Sequence, residues 1–302
     1  MTTLGNFALA GLGRIGQFVA EEFVKLKADG KISRVDILTR RDPAGDETLA
    51  TLAELGANVK TVDYASHGSL VSALSGIDAV VSVTGGYGEA IQNNIKLADA
   101  AKHAGVQLFV PSEWGLYSKG LNQGFYITHA EVHKKLEDIG LPYAMVYCGM
   151  WSDAVLSPLF GWDVPNGKVT MWGDGNKPIT WTTREDVARF TEHLLTHTPA
   201  EQLYWKTFNI EGDRKTLNEI AAEYTARTGK KLDITHRPIS EQEKIFAESD
   251  PTSMEGILAF ILLNWDNGKL DLSKAPGGLA NHLWLEWKPT RAVDALLAAY
   301  PA

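Results

Sequence analysis

Only one cysteine occurs in the 302 residues, Cys148, which excludes an intrachain disulfide and a cysteine-based zinc cluster and fits a reducing compartment. Positive charge is also in deficit. With 29 lysines and arginines against 37 aspartates and glutamates, the net charge is −8, so no overall positive field draws nucleic acid or anionic lipid to the chain. Long apolar runs are missing too: the longest strongly apolar one, 256–265, is about half of the ~20 residues that a transmembrane helix needs. The opening Met1-Thr-Thr-Leu-Gly5 has neither the basic start nor the apolar run of a secretory signal, and a cytoplasmic protein is expected. What is present is a globular composition, 44% hydrophobic and 22% charged, which excludes a disordered chain. At roughly 150 residues per domain, the length accommodates one large domain or two modest ones. Nine tryptophans stand out.

In the first half, short apolar runs alternate with stretches of helical spacing. Strands are expected over 7–10, 35–39, 59–62, 79–83 and 108–110, with helices from Gly16 and over 47–55, 70–74 and 89–104 between them. The runs are apolar without alternation, as in strands buried on both faces. The pattern therefore predicts an α/β, doubly wound parallel sheet of Rossmann type over residues 1–150. A helix over 129–139 and a strand over 143–147 are expected to extend it. After Gly149 the pattern changes. Pro165-Asn-Gly167 and Asp174-Gly-Asn176 predict hairpins, and Thr182…Glu185 and Ser240…Glu243 have capping-box spacing. Further helices are expected over 216–228, stopped by Gly229, and over 290–300. Residues 151–302 read as a smaller mixed α/β substrate-binding region, partly interleaved with the first.

A G-x-G-x-x-G run is weak by itself in a chain with 28 glycines, but Gly11, Gly13 and Gly16 follow the first strand directly and open the first helix. There Gly11 permits a tight turn, Gly13 lets backbone approach a pyrophosphate, and Gly16 lets helix and strand pack closely. Gly11, Gly13, Arg14, Ile15 and Gly16 are the candidate pyrophosphate-binding residues, with the helix N-terminus supplying amides and a positive dipole end. The second strand ends Leu38-Thr-Arg-Arg41 with no carboxylate in the place that NAD-preferring domains use. Arg40 and Arg41 are candidates for a 2′-phosphate clamp, which makes NADP(H) the expected cofactor. Asp63 either accepts from an adenine amino group or is a surface loop acid. Thr84, Gly85, Gly86, Tyr87 and Gly88 offer small residues beside a nicotinamide.

Three blocks of this sequence resemble the isoflavone-reductase-like and NmrA-like group of atypical short-chain dehydrogenases. They are Gly11-Leu-Gly-Arg-Ile-Gly16 with Leu38-Thr-Arg40, the stretch from Gln92 to Phe109-Val-Pro-Ser-Glu-Trp-Gly115, and Trp172-Gly-Asp-Gly-Asn176 followed by Asp186-Val-Ala-Arg-Phe190. The likeness spans residues 5 to 230, and no Tyr-x-x-x-Lys pair of ordinary short-chain dehydrogenases occurs. It implies NADPH-dependent hydride transfer to an aromatic or conjugated small molecule, with a helix-borne lysine as general acid or base. Counting back from Gly140-Leu-Pro-Tyr143 puts His129 at that lysine's position. As the alternative, the resemblance admits a non-catalytic NADP(H) sensor that binds a protein partner, as NmrA does.

The spacing Thr128…Glu131 predicts that His129 is the first residue of its helix, where the dipole favours a neutral imidazole able to accept or donate a proton. The competing reading is a helix-start residue with no proton role. His129 and His133 also have the i, i+4 spacing of metal ligands, but no third ligand is evident and no metal is expected. Lys134 and Lys135 read as solvated. Trp114, Met150 and Trp151 follow strand ends and are expected to rim a pocket for an aromatic substrate, which the tryptophan surplus also suggests. Trp172 and Trp181 read as packing residues and Cys148 as a small buried one. A monomer or homodimer is expected.

Overall fold

Phe7 and Leu9 point into one apolar core while Ala8 and Ala10 point into another, so the first strand is buried on both faces, as an unbroken apolar run requires. The computed structural model describes residues 4–85 and 88–301. Its first half contains β1 (Asn6–Ala10), α1 (Gly16–Ala28), β2 (Arg34–Thr39), α2 (Glu47–Glu54), β3 (Asn58–Thr61), α3 (His67–Ala73), β4 (Ala79–Ser82), α4 (Glu89–His103), β5 (Leu108–Val110), α5 (Tyr126–Asp138) and β6 (Ala144–Tyr147). The second half adds β7 (Met150–Trp151), α6 (Ser152–Val155), β8 (Trp162–Asp163), β9 (Lys168–Trp172), β10 (Ile179–Thr182), α7 (Arg184–His197), α8 (Ala200–Leu203), β11 (Lys206–Asn209) and β12 (Asp213–Lys215). It closes with α9 (Leu217–Thr228), β13 (Asp233–Arg237), α10 (Ser240–Glu248), α11 (Met254–Asp266) and α12 (Ala292–Ala299).

The central sheet is parallel, with order β3-β2-β1-β4-β5. A single bridge between Phe109 and Tyr143 joins it to β6, which pairs in parallel with β11. The expected doubly wound α/β fold is therefore present, and its far edge is completed by a strand from the second half. α7, also from the second half, packs on α1, while α3, α4 and α5 lie side by side. The core containing Phe7 and Leu9 takes side chains from α1, α2 and α7; the one containing Ala8 and Ala10 takes them from α3, α4 and α5. A third core, around the fully buried Trp162 and Trp181, fills the second half.

Several local expectations are corrected. Pro165-Asn-Gly167 does join an antiparallel pair, β8 and β9. Asp174-Gly-Asn176 does not, because β9 and β10 belong to different sheets, ordered β13-β9-β8 and β12-β10-β7. The N-cap of α7 is Thr183, which accepts from the Asp186 amide, one residue beyond the predicted Thr182. Ser240 is the first residue of α10 and not its cap, whereas Thr216 and Glu219 form a reciprocal capping box on α9, which ends at left-handed Gly229. The run 256–265, too short for a bilayer, lies within the buried helix α11. Among the described residues no helix is long and apolar enough to cross a membrane.

Candidate active site

The parallel strands end together, and the loops that follow them wall a cavity of about 610 Å³. At one end lie Gly11, Gly13, Arg14, Ile15, Arg40, Arg41, Thr84 and Gly85. A Cβ on Gly16 would stand 2.7 Å from the Gly11 carbonyl oxygen, and one on Gly11 2.9 Å from that of Val83. Both glycines are required by backbone packing, and Gly16 lies under the cavity instead of lining it. Gly13 differs: its Cβ would meet only the Val83 carbonyl oxygen, at 3.9 Å, so no protein contact calls for glycine there. Ile15 caps α1 without a side-chain hydrogen bond, which leaves the first-turn amides for a ligand. A Cβ-free backbone beside uncapped helix amides suits a pyrophosphate.

The two arginines are not equivalent. Arg41 is tied to Asp46 at 2.8 Å, and Asp46 caps α2. Among the described residues Arg40 has an exposed, loose pairing with Glu89 at 3.7 Å, which is worth little in water. Tyr64 lines the cavity beside them, its phenol pushed up to about 12 by burial although the Arg40 charge opposes this. The preceding residue, Asp63, is exposed, outside the cavity lining, and its carboxylate accepts from the Ala65 amide. Of the small-residue segment, Gly86 and Tyr87 lie outside the described residues. Thr84 and Gly85 are fixed by the buried Asn94, which donates to Thr84 Oγ1 at 2.9 Å and to the Gly85 carbonyl at 3.2 Å.

The other end is apolar. Trp114, Met150 and Trp151 line the cavity, joined by Val155, Phe160 and one face of α11: Met254, Ile257, Leu258 and Ile261. Trp114 is anchored by an indole N–H donated to the Ser82 carbonyl at 3.0 Å. Only these two tryptophans line the cavity among the nine; Trp162, Trp181, Trp265 and Trp287 are core residues, so the tryptophan surplus is mainly structural. Trp172 donates to Glu241. Cys148 is fully buried and its thiol is pushed up to about 12 by burial, which suits a packing residue and not a nucleophile.

His129 is buried and lines the same cavity. α5 begins at Tyr126, so His129 is its fourth residue and not its first, and the Thr128 hydroxyl donates back to the Phe125 carbonyl instead of capping the helix. The nearest charge is thus a side chain and not the helix terminus. Nδ1 of His129 lies 2.9 Å from Oε2 of Glu113, and Nε2 of His133 lies 2.6 Å from Oε1. The i, i+4 pair clasps a carboxylate, which accounts for its spacing without a metal. Ser118 also donates to Glu113 and meets the Tyr147 hydroxyl at 3.0 Å. A carboxylate this buried would cost several kcal/mol if unpaired. Burial raises its proton affinity, but the two imidazoles outweigh that and hold the Glu113 carboxyl well below the usual carboxylate range. Lys134 and Lys135 pair with Asp138 and Asp99 and do not line the cavity.

A sequence model of the NmrA-like family matches residues 9–292, nearly the whole chain. The chain belongs to the NmrA-like family. Among its curated relatives, an isoflavone reductase homolog, P3, from Arabidopsis thaliana is 28% identical over 97% of this chain and 96% of its own length. The phenylcoumaran benzylic ether reductase TP7 of Nicotiana tabacum is 27% identical, over 95% and 96%. Among solved structures, AtPrR2 with NADP+ and (+)pinoresinol superimposes with a TM-score of 0.83 at 21% identity over 98% of both chains. An NADPH-dependent quinone oxidoreductase from Escherichia coli gives 0.75 at 21%, over 97% and 99%.

Within this NmrA-like chain, sequence reasoning missed two parts of the site. Glu113 was read only as a letter of the Pro-Ser-Glu-Trp-Gly block; a carboxylate embedded in an apolar turn after a buried strand was the available signal. The sequence shows α11 only as an apolar run; its wall residues Met254, Ile257, Leu258 and Ile261 stand at i, i+3, i+4 and i+7, but the residues between them are apolar too.

Proposed function

We propose that this protein is an NADPH-dependent reductase of an aromatic or conjugated small molecule. One observation carries the reading: a single cavity runs from the Gly13 and Arg40 end to His129 and an apolar wall. In this reading the α1 amides and the open backbone at Gly13 hold the pyrophosphate, Arg40 meets the 2′-phosphate, and Arg41 supports it. The cofactor, when bound, supplies a hydride. Thr84 and Gly85, held by Asn94, form the floor beside the reacting ring, and Trp114, Met150, Trp151 and α11 press a flat acceptor against it. His129, tied through Nδ1 to Glu113, holds or moves the proton at Nε2. The reductase names of its relatives support the same class of reaction.

The test is NADPH oxidation by the purified protein against a panel of aromatic enones, quinones and benzylic ethers. Turnover with at least one class is expected. Tight NADPH binding with no turnover across the panel would favour the cofactor-sensing alternative.

A further inference from the structure

We propose that Glu113 is a positioning residue for the proton step at His129, and that His133 is the clamp that fixes the Glu113 carboxylate for that task. The proposal deepens the reductase reading above and rests on it.

The geometry is that of a three-member clasp. Glu113 arrives on the turn after β5, while His129 and His133 lie one turn apart on α5 and face it together. Each imidazole takes a different carboxylate oxygen, Oε2 by His129 Nδ1 and Oε1 by His133 Nε2, so the carboxylate cannot rotate without breaking both bonds. The Ser118 hydroxyl adds a third donor, on Oε2. Glu113, His129 and His133 are all buried, so neither screening by water nor exchange with solvent loosens the arrangement. A carboxylate on Nδ1 selects the Nδ1–H tautomer and compensates the charge of the ring when Nε2 carries a proton. That division of labour is the one a buried acid performs for a histidine in other proton-transfer sites. His129 lines the cavity whereas His133 does not, so the clasp has one member at the reacting end and two behind it.

Other ionisable groups pack around the clasp. Tyr126 on α5 packs its ring 4.7 Å from that of His129, Tyr147 comes from β6, Cys148 follows β6, and Tyr117 packs on Tyr147. Burial pushes the Tyr126 and Tyr147 hydroxyls and the Cys148 thiol up, and the Glu113 charge adds to this for both tyrosines, so all three stay neutral near neutrality. Lys119, the cation nearest Glu113 in sequence, bonds the Tyr143 hydroxyl, and Lys134 and Lys135 next to His133 pair with Asp138 and Asp99. The two imidazoles share one carboxylate, so removing any member of the clasp changes the charge that the others meet.

The experiment compares the intact wild-type protein with Glu113→Gln and His133→Gln in two measurements: the pH dependence of kcat for NADPH oxidation, and the His129 titration by NMR with ring-labelled histidine. Glu113→Gln is expected to lower kcat by more than about tenfold while the KM for NADPH stays within about threefold. It should also move the His129 titration, and the matching limb of the kcat profile, to lower pH, because the charge that favours the protonated ring is gone. If Glu113→Gln fails to fold, His133→Gln carries the test: it leaves the Glu113 charge undivided at His129 and should move that titration to higher pH. A folded Glu113→Gln protein with unchanged kcat and an unmoved His129 titration overturns the proposal, as does a loss of kcat with no change in either profile, which is what a merely structural carboxylate would give. Absence of turnover in the wild-type protein is instead a failure of the reductase reading, and the NMR titration separates the two.

Discussion

At the residue scale, the nucleotide end depends on which of two adjacent arginines is available. Arg41 is committed to Asp46 and to the end of α2, whereas Arg40 is exposed and loosely held. Arg40→Ala should therefore weaken NADPH by at least about tenfold and NADH by less than about threefold, measured by calorimetric titration. Equal losses for the two nucleotides would remove Arg40 from the 2′-phosphate. Arg40 is a candidate already in the sequence because it ends an apolar strand, whereas its loose pairing with Glu89 appears only in the structure. Glu113 is marked only by its apolar turn, which does not say what meets it, because its partners lie 16 and 20 residues away. His129 stands out by its place in a motif, but the helix starts three residues earlier than Thr128…Glu131 suggests, and the nearest charge is the Glu113 carboxylate and not the dipole.

At the element scale, the strands and helices of the first half were legible because buried parallel strands and amphipathic helices have distinct spacings. α11 was not, since it faces the core on one side and the cavity on the other and is apolar nearly all round, which erases the period. Cap positions slip where neighbouring residues compete: Thr182 and Thr183 are both competent, and it is the Thr183 hydroxyl that accepts from the Asp186 amide. The turn at Asp174-Gly-Asn176 has hairpin residues, but its flanking strands pair with other partners. The role given to α11 is testable. Ile261→Trp should fill part of the apolar end, raising the acceptor KM by about tenfold or more while NADPH affinity stays within about twofold. Steady-state kinetics with binding measured in parallel would show this, and an equal loss of both affinities would mean that α11 supports the whole cavity and not the acceptor end.

At the scale of the whole molecule, buried carboxyls set opposing pH dependences. Glu113, Asp36 and Asp271 are driven upward by burial but pulled below their ordinary range by their partners. The stability they contribute is present at neutral pH and lost as pH falls below about 4. Glu192 on α7 runs the other way. Burial lifts its carboxyl to about 7, against a hydrogen bond from Thr196. Its cost accumulates as pH rises from the unfolded carboxyl value of about 4.3 to its folded value and persists above it. Glu192→Gln should accordingly raise the melting temperature at about pH 8 and leave it nearly unchanged at about pH 4; the same gain at both would refute the assignment.

The central claim joins the two ends of one cavity through His129, and the measurement that reaches it most directly is NADPH oxidation by wild-type protein and His129→Ala with the same aromatic acceptor, with NADPH affinity determined on both. Retained affinity with turnover lowered about a hundredfold or more is the predicted result. Unchanged turnover in His129→Ala would contradict it.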